Sequence, residues 1–513
     1  MARLNRESLE FAREHITNYY DSDFFPKPFE YKALWANWDD VTSFLTSKDI
    51  SEYIIEQPRT FASIKPNGTF RVVHQLDPIS TLLYTSLAYI ISGSIESARF
   101  PVDEYVACSY RIQINKKKGA FFADGSGYKG FIKKSRALSK KWPYVLVTDI
   151  TDYYNQIYIH RLQNIIEIAD ASMHAYSRDI EKLLLHLNGS VSQGVPVGPA
   201  ASIIMGEAVL IDVDNYIKKS GFEHTRYVDD FRIFGTSTEE LRQFLATLTE
   251  YMYHNHRLTL AGEKTAILRT ERFLAEYLDS PQETEKVKIH DTLAGIQSFQ
   301  AAYGTIDSEV DEKDIRPSVL AQLMKTIVSS DVLNLGLARH VLRKSRKYRI
   351  RSILPDLLDN FTYFLPVISD VILYMMEVTN QKFVQQNVER ILDIISTNAI
   401  TAYPYYREWM EYYIVNNKAL LKQEDVIKYI YKHASIRGQA IATVKLEEAH
   451  KAVDWVRSHK VMLPNLSSWD RRAVILSSRI LSKKEMDSWL ASVEKSTDNF
   501  MELMTIKWVK STR

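Results

Sequence analysis

The sequence predicts an α+β chain, a strand-bearing part followed by an all-helical C-terminal part. Three observations carry this. Tyr144-Val145-Leu146-Val147-Thr148-Asp149 is a buried-strand run that stops at a carboxylate. Thr225-Arg226-Tyr227-Val228-Asp229-Asp230-Phe231-Arg232-Ile233-Phe234 sets two adjacent acids between apolar flanks. It reads as two short strands joined by a tight turn, because Asp is a poor strand residue but tolerates turn conformations. From about residue 316 onward the pattern is helical, as in Val384, Val388, Ile391 and Ile395, which share one helix face.

The elements follow in order. Residues 1–50 read as a helical arm with a loop around Phe24-Phe25-Pro26-Lys27-Pro28. Asn67-Gly68 is a hairpin-turn signal between Ser63-Ile64 and Phe70–Val73. Residues 80–98 are apolar and periodic and predict a buried helix. Residues 114–141 turn basic and glycine-rich, which predicts a loop able to follow a phosphate backbone without reading bases. Over 142–265 an antiparallel sheet backed by helices is expected, one helix running from Pro199 through Met205 toward Val213. Residues 280–315 are polar with few apolar runs and mark a boundary. Beyond them, Pro355, Pro366, Pro404 and Pro464 punctuate the helical pattern, which suggests stacked helix pairs in a solenoid. Ser482-Lys483-Lys484-Glu485 predicts a capping box. The cluster from Arg339 to Arg351 predicts a phosphate-binding helix face, with Arg343, Lys344, Arg346 and Lys347 as nucleic-acid contacts. The expected domains are residues 1–50, 51–290 and 291–513.

The acids suggest the chemistry. Asp149 facing Asp229 and Asp230 would place two or three carboxylates around one cavity. Like charges that close are unfavourable unless cations sit between them. Hard Mg²⁺ takes oxygen ligands and leaves positions open for phosphate, and two such ions about 3.5–4 Å apart clamp the attacking and leaving oxygens of nucleotidyl transfer. The rest of the composition is permissive. The N-terminus shows no apolar run of a secretory leader, and no apolar stretch reads as long enough to span a bilayer. The single cysteine, Cys108, rules out an intramolecular disulfide and reads as a small buried hydrophobe in a reducing cytosol. A net charge of +2 neither demands nor excludes nucleic acid. The 30 tyrosines could stack single-stranded bases, although most are expected to pack in helices.

These residues resemble a known family. Asp149-Ile150-Thr151-Asp152-Tyr153-Tyr154 resembles motif A of reverse transcriptases, Gln193-Gly194-Val195-Pro196-Val197-Gly198-Pro199 motif B, and Tyr227-Val228-Asp229-Asp230 motif C. Lys65–Val73 resembles the fingers hairpin, Cys108-Ser109-Tyr110-Arg111 the element that closes the fingers, and Leu258–Thr265 motif D. The resemblance covers roughly residues 50–280. It implies a fingers–palm domain in which Asp149 and Asp229 are the main ligands of two Mg²⁺ ions (Mn²⁺ as a substitute) and Asp230 is an accessory carboxylate. Asp152, Tyr154, Gln193 and Gly194 would line the incoming dNTP, with Tyr154 as a gate against the 2′-hydroxyl. Lys65 and Arg71 would grip the triphosphate. Lys264 would sit where pyrophosphate leaves and donate a proton.

Motif B commonly ends in Ser-Pro, whereas Gly198 precedes Pro199 here. With the long helical extension, the chain resembles the abortive-infection reverse transcriptases of bacteria, the AbiK-like group. In that group a helical-repeat (HEAT-like) domain replaces the thumb, and the resemblance implies a cytoplasmic, homo-oligomeric phage-defence polymerase. It would make single-stranded DNA without template and attach it to its own protein, with Tyr19, Tyr20 and Tyr31 as priming candidates. The alternatives are a conventional RNA-templated reverse transcriptase of a retron or other defence system, an RNA-dependent RNA polymerase, which Tyr154 argues against, and a scaffold with a degenerate palm.

Overall fold

The computed structural model describes residues 2–20, 24–125, 127–279, 317–446 and 449–512. The polar stretch 280–315 and the expected 290/291 boundary lie outside them. The chain groups into two compact units that cut across the expected ranges. The first takes in the described residues of 1–23, 44–59 and 74–311, the second those of 24–43, 60–73 and 312–513.

The first unit is built around a four-stranded antiparallel sheet. Strands β3 (Ile112–Asn115) and β4 (Ala120–Phe122) form a hairpin in this unit, whereas most of the hairpin of β1 (Arg59–Ile64) and β2 (Phe70–Gln75) belongs to the second unit. The main sheet comprises β5 (Tyr144–Asp149), β6 (Glu223–Tyr227), β7 (Asp230–Gly235) and β8 (Ala266–Arg269), in the order β6-β7-β5-β8. The inner strand β5 is buried over Val145–Thr148. Both of its faces are covered, which is why it reads as a continuous apolar run rather than an alternation. Val145 and Val147 pack with Phe234, Leu268, Phe273 and Leu138 in one core cluster. The helix Ala200–Lys219 begins directly after Pro199, as the sequence predicts, and is buried along most of its first half. It packs against the helix Pro78–Ala98, whose N-terminus is capped by the Asp77 carboxylate accepting from the Ile79 amide at 3.0 Å.

Two expectations are corrected here. Residues 114–141 are not a loop but the end of β3, then β4 and the helix Tyr128–Lys141. Phe131, Ser135, Leu138 and Ser139 are its buried face, and the lysines that suggested a loop occupy the other faces. Lys141 pairs with Glu223 at 2.7 Å and Lys116 with Glu7 at 2.7 Å. The helix starts at Gly127, where a Cβ would lie 1.8 Å from the Cys108 carbonyl oxygen; only glycine permits that approach. Second, two helical stretches, Pro78–Ala98 and Phe361–Val378, are long and apolar enough to cross a membrane by length and composition. Their apolar windows are 78% and 61% buried within the protein, so their hydrophobicity is accounted for as core packing.

In the second unit, described by itself, helices stack in a row. Leu335–Lys347 packs on Ile368–Val378, which packs on Pro404–Asn416, then Ile436–Lys445, Ser468–Ser477 and Phe500–Ser511. Val384, Ile391 and Ile395 are buried along Gln381–Ser396, on the face that the sequence periodicity marks. Ser482 caps its helix by accepting from the Glu485 amide. The Glu485 carboxylate, however, goes to Arg457 and Lys460, so Ser482 acts alone and no reciprocal box closes. The helix Glu30–Ala36 belongs to this unit through a buried ion triad. Glu30 accepts both guanidinium nitrogens of Arg437 at 2.7 Å and Arg472 Nε at 3.2 Å. Burial pushes the Glu30 carboxyl up, but the two arginines outweigh it and hold it below the usual range. The tip of the β1–β2 hairpin also belongs here: the Ile64 amide donates to Tyr406 Oη at 2.8 Å, and Phe70 stacks on Tyr403 with ring centroids 5.6 Å apart.

Glu30→Ala removes the carboxylate partner of the buried Arg472 and the largely buried Arg437 and should cost about 3 kcal/mol, read as a lowered urea midpoint for loss of helical circular dichroism. Because the Glu30 pKa is depressed, its contribution is present at neutral pH and is lost as pH falls through the folded-state value. The wild-type and Ala proteins should therefore converge in stability on acidification.

Candidate active site

One register brings the predicted acids together. β5 and β7 pair antiparallel so that Asp149, the last residue of β5, lies opposite Asp230, the first of β7. β6 and β7 close on each other with Tyr227 opposite Asp230, leaving Val228 and Asp229 as a two-residue turn. Asp149, Asp229 and Asp230 thus meet at one end of the sheet.

Charge dominates this end. Burial, followed by the negative charge of Asp149, pushes the Asp229 carboxyl up to about 7. Lys264, on the single helical turn Gly262–Lys264, places its ammonium 3.0 Å from Asp149 Oδ2. Burial would lower the Lys264 pKa, but its hydrogen bond and charge interaction with Asp149, with Asp229 behind, raise it. A lysine seated on one carboxylate and a neighbour driven toward neutrality mark surplus negative charge. This oxygen-only donor set fits a hard divalent cation. Among the described residues no group of three or more His, Cys, Asp or Glu is placed to hold a metal ion by itself, so any cation here would take its remaining ligands from substrate or water.

The second cluster lies along the Ala200–Lys219 helix. Gln193 and Gly194 are held by Asn188 Nδ2, which donates to their carbonyls at 2.9 and 2.6 Å. The Gly194 amide donates to the Ile157 carbonyl at 2.8 Å and the Val195 amide to the Tyr154 carbonyl at 2.9 Å, fixing motif B beside Tyr154. A Cβ at Gly206 would lie 3.1 Å from Tyr154 Cε1 and 3.2 Å from Tyr153 Cε1. The missing side chain makes room for both rings, and Tyr153 Oη is tied to the Gly206 carbonyl at 2.5 Å. Asp152 sits in the left-handed region, φ 47°, and its carboxylate accepts from Asn155 Nδ2 at 2.9 Å; its backbone carbonyl accepts the first amides of a short helical turn.

The remaining predicted residues are carried by other elements. Lys65 and Arg71 are on the β1–β2 hairpin in the second unit, Lys65 half-buried and Arg71 exposed. In the basic helix Leu335–Lys347, Arg343 is partly exposed and pairs with Asp370 at 2.7 Å. Lys344 is half-buried, and Arg346 and Lys347 are exposed. Among the priming candidates, Tyr31 is 2% exposed, with its ring against Trp35, so its hydroxyl has no access to a nucleotide. Tyr19 and Tyr20 are half-buried at the end of the first helix. Burial pushes the Tyr19 phenol up. Cys108 is buried, as the sequence predicts, with Sγ 3.4 Å from Thr225 Oγ1.

Sequence reasoning passed over a set of residues beneath the acidic turn. Val228 has φ 58°, a conformation that costs a β-branched residue about 1–3 kcal/mol. Its amide donates to Ser109 Oγ at 2.8 Å, and its carbonyl accepts from Arg226 Nη1 at 3.1 Å. Arg226, wholly buried, pairs with Asp214 at 2.9 Å and with Glu207 at 2.9 Å, and Glu207 also meets Arg99 at 2.8 Å. The available signals were a lone Glu in the apolar run Ala200–Leu210 and an Arg directly before the acidic motif.

Gly206→Ala should strain the fixed Tyr153 ring and turn Tyr154. A loss of about 1–3 kcal/mol is expected from overpacking, measured by thermal unfolding, with Gly206→Val worse.

Residues 64–289 match the family model of reverse transcriptase (RNA-dependent DNA polymerase). No curated protein sequence matches the chain. Among solved structures, telomerase from Candida albicans in complex with a TWJ fragment of telomeric RNA aligns over 78% of this chain and 70% of its own, at 13% identity and a TM-score of 0.31. Apo telomerase from Candida tropicalis aligns over 75% and 74%, at 11% identity and a TM-score of 0.33. Similarity this low carries no inference about partners. The match over 64–289 shows that the chain carries a reverse transcriptase domain and is, by that domain, a nucleotidyltransferase of the RNA-directed DNA polymerase kind.

Proposed function

We propose that the chain is a Mg²⁺-dependent DNA polymerase that starts synthesis on its own protein, needs no external template and acts in abortive infection against phage. The observation that carries the polymerase reading is the convergence of Asp149, Asp229 and Asp230 with Lys264 at one sheet end. The finer reading is supported by the resemblance of the motifs and by the long run of stacked helices after residue 317, which suits a HEAT-like replacement of the thumb. Cytoplasmic residence and homo-oligomeric assembly belong to the same proposal.

Asp149 and Asp229 would hold the metal, with Asp230 accessory; bound there, it would neutralise triphosphate charge and ease deprotonation of the attacking hydroxyl. The other steps fall to the chain itself. Tyr154, braced against Gly206, presents an aromatic edge that would crowd a ribose 2′-hydroxyl. The Gln193–Gly194 turn, pinned by Asn188, offers a preorganised wall for the nucleotide. Lys264, its pKa raised, stays protonated at neutral pH and can give its proton to departing pyrophosphate. Lys65 and Arg71 carry charge suited to triphosphate oxygens. In priming, the oxygen of Tyr19 or Tyr20 would attack the α-phosphorus of a dNTP, forming a phosphodiester to the protein as the bond to pyrophosphate breaks.

RNA-templated synthesis is the second reading, favoured by the description of the matching family. One assay separates them: purified protein, Mg²⁺ and labelled dNTPs with no template or primer, resolved on a denaturing gel. Protein-linked label that is absent in Asp229→Ala is expected. Incorporation only after a primed RNA template is added would overturn the template-independent proposal. In the same assay Tyr154→Ala should relax discrimination against ribonucleotides by about tenfold or more, the scale of one steric contact in a pocket.

A further inference from the structure

We propose that Ser109 and Glu207 are positioning residues that set the catalytic turn, holding Val228 in the conformation that aims Asp229. This rests on the polymerase reading above. The argument starts from the turn. In a two-residue hairpin loop the first position needs positive φ, which glycine, asparagine or aspartate ordinarily supplies. Here valine occupies it at φ 58°. Nothing intrinsic to the side chain favours that conformation, so it must be imposed by the surroundings.

The surroundings supply a clamp on both polar groups of the Val228 residue. Ser109 Oγ accepts the Val228 amide at 2.8 Å and donates onward to Glu207 Oε1 at 3.1 Å. Arg226 Nη1 donates to the Val228 carbonyl at 3.1 Å and lies 2.9 Å from Glu207 Oε2. One carboxylate therefore anchors both jaws, one oxygen to each. The residues reach the turn from three places in the chain. Arg226 is on β6. Glu207 is on the Ala200–Lys219 helix directly after motif B. Ser109 is delivered by a segment that bridges β6 in parallel at Ala107–Arg226, with the Cys108 amide donating to the Arg226 carbonyl at 3.0 Å. Ser109, Glu207 and Arg226 are all 2% exposed or less, so water does not compete for these bonds and the geometry is tightly held. The Arg226 charge is matched by Asp214 and Glu207, and Arg99 adds a second cation at Glu207 2.8 Å away.

None of these three side chains is a metal ligand in the arrangement described. Their effect on chemistry would pass through the φ angle of Val228 and so through the direction of the Asp229 carboxylate. That makes a specific expectation. If the clamp exists to hold a non-glycine residue at positive φ, replacing Val228 by glycine should make the clamp dispensable.

The experiment compares wild type, Ser109→Ala, Val228→Gly and the double variant, each shown folded by thermal unfolding. The readouts are Mn²⁺ affinity by electron paramagnetic resonance without nucleotide, and the kcat and KM of dNTP incorporation. Ser109→Ala is expected to weaken Mn²⁺ binding and lower kcat, each by about tenfold, the scale of one buried hydrogen bond, with KM for dNTP little changed. In the Val228→Gly background the same serine change should cost less than about threefold, well inside that scale. Glu207→Gln, which keeps the shape but removes the charge and turns one of the two acceptor oxygens into a donor, should lower Mn²⁺ affinity and kcat in the same direction as Ser109→Ala. Unchanged Mn²⁺ affinity and kcat in folded Ser109→Ala would overturn the proposal. So would an equal serine penalty with valine or glycine at 228. Failure of wild type itself to incorporate dNTPs would instead count against the polymerase reading, while the Mn²⁺ comparison would still test the clamp.

Discussion

The structure of the site depends on one pairing register. Asp149 lies opposite Asp230 because β5 and β7 run antiparallel with no slip across six paired positions, from Tyr144 opposite Gly235 onward. Side chains alternate along a strand, so a slip of one residue would send the Asp149 carboxylate to the other face and put Thr148 or Ile150 where it had been. Burial on both sides of β5 forbids that exchange. The register is thus enforced by the core that contains Val145, Val147, Phe234 and Leu268, and the acids are placed by hydrophobic packing some distance from them.

Electrostatic cost is layered around this geometry. At the surface of the layer, Asp149 and Asp229 repel, and Lys264 relieves part of that repulsion. Beneath it, Arg226, Arg99, Glu207 and Asp214 form a buried network of alternating sign. Buried ion pairs are weak sources of net stability, because desolvation offsets most of the attraction. Their value here is directional. A guanidinium and a carboxylate locked together in a dry interior define positions more narrowly than apolar side chains do, and the turn they support is the one that carries Asp229.

The acids and the motif order were legible because each rests on a local rule: an apolar strand that ends in Asp, an acidic pair where a turn must fall, Asn67-Gly68 between strand runs. The start of the helix after Pro199 and the buried faces of Gln381–Ser396 were legible from periodicity. What escaped had its cause elsewhere in the chain. The lysines of 116–141 suggested a loop, but Phe131 and Leu138 find a core to pack against. The pairing of Arg343 with Asp370, 27 residues on, is likewise a long-range contact that no local pattern announces. Tyr31 could be an exposed nucleophile in any reading that lacks the packing around Trp35. Val228 escaped for a different reason: local preference argues against the conformation it adopts, and only Ser109 and Arg226 explain it.

The way the polypeptide passes between its two compact units has a consequence for inheritance and engineering. The backbone changes unit near residues 24, 44, 60 and 74, and the described residues up to 279 and from 317 onward again fall in different units. A domain joined by a single linker can be gained, lost or transplanted by one recombination event, but this arrangement cannot. Cutting before the C-terminal helices would strand the Glu30 carboxylate without Arg437 and Arg472 and leave Ile64 without Tyr406. The helical extension is therefore not an appendage on a self-sufficient catalytic body. The two halves are interleaved along the chain, and they are expected to have diversified together, as one heritable piece.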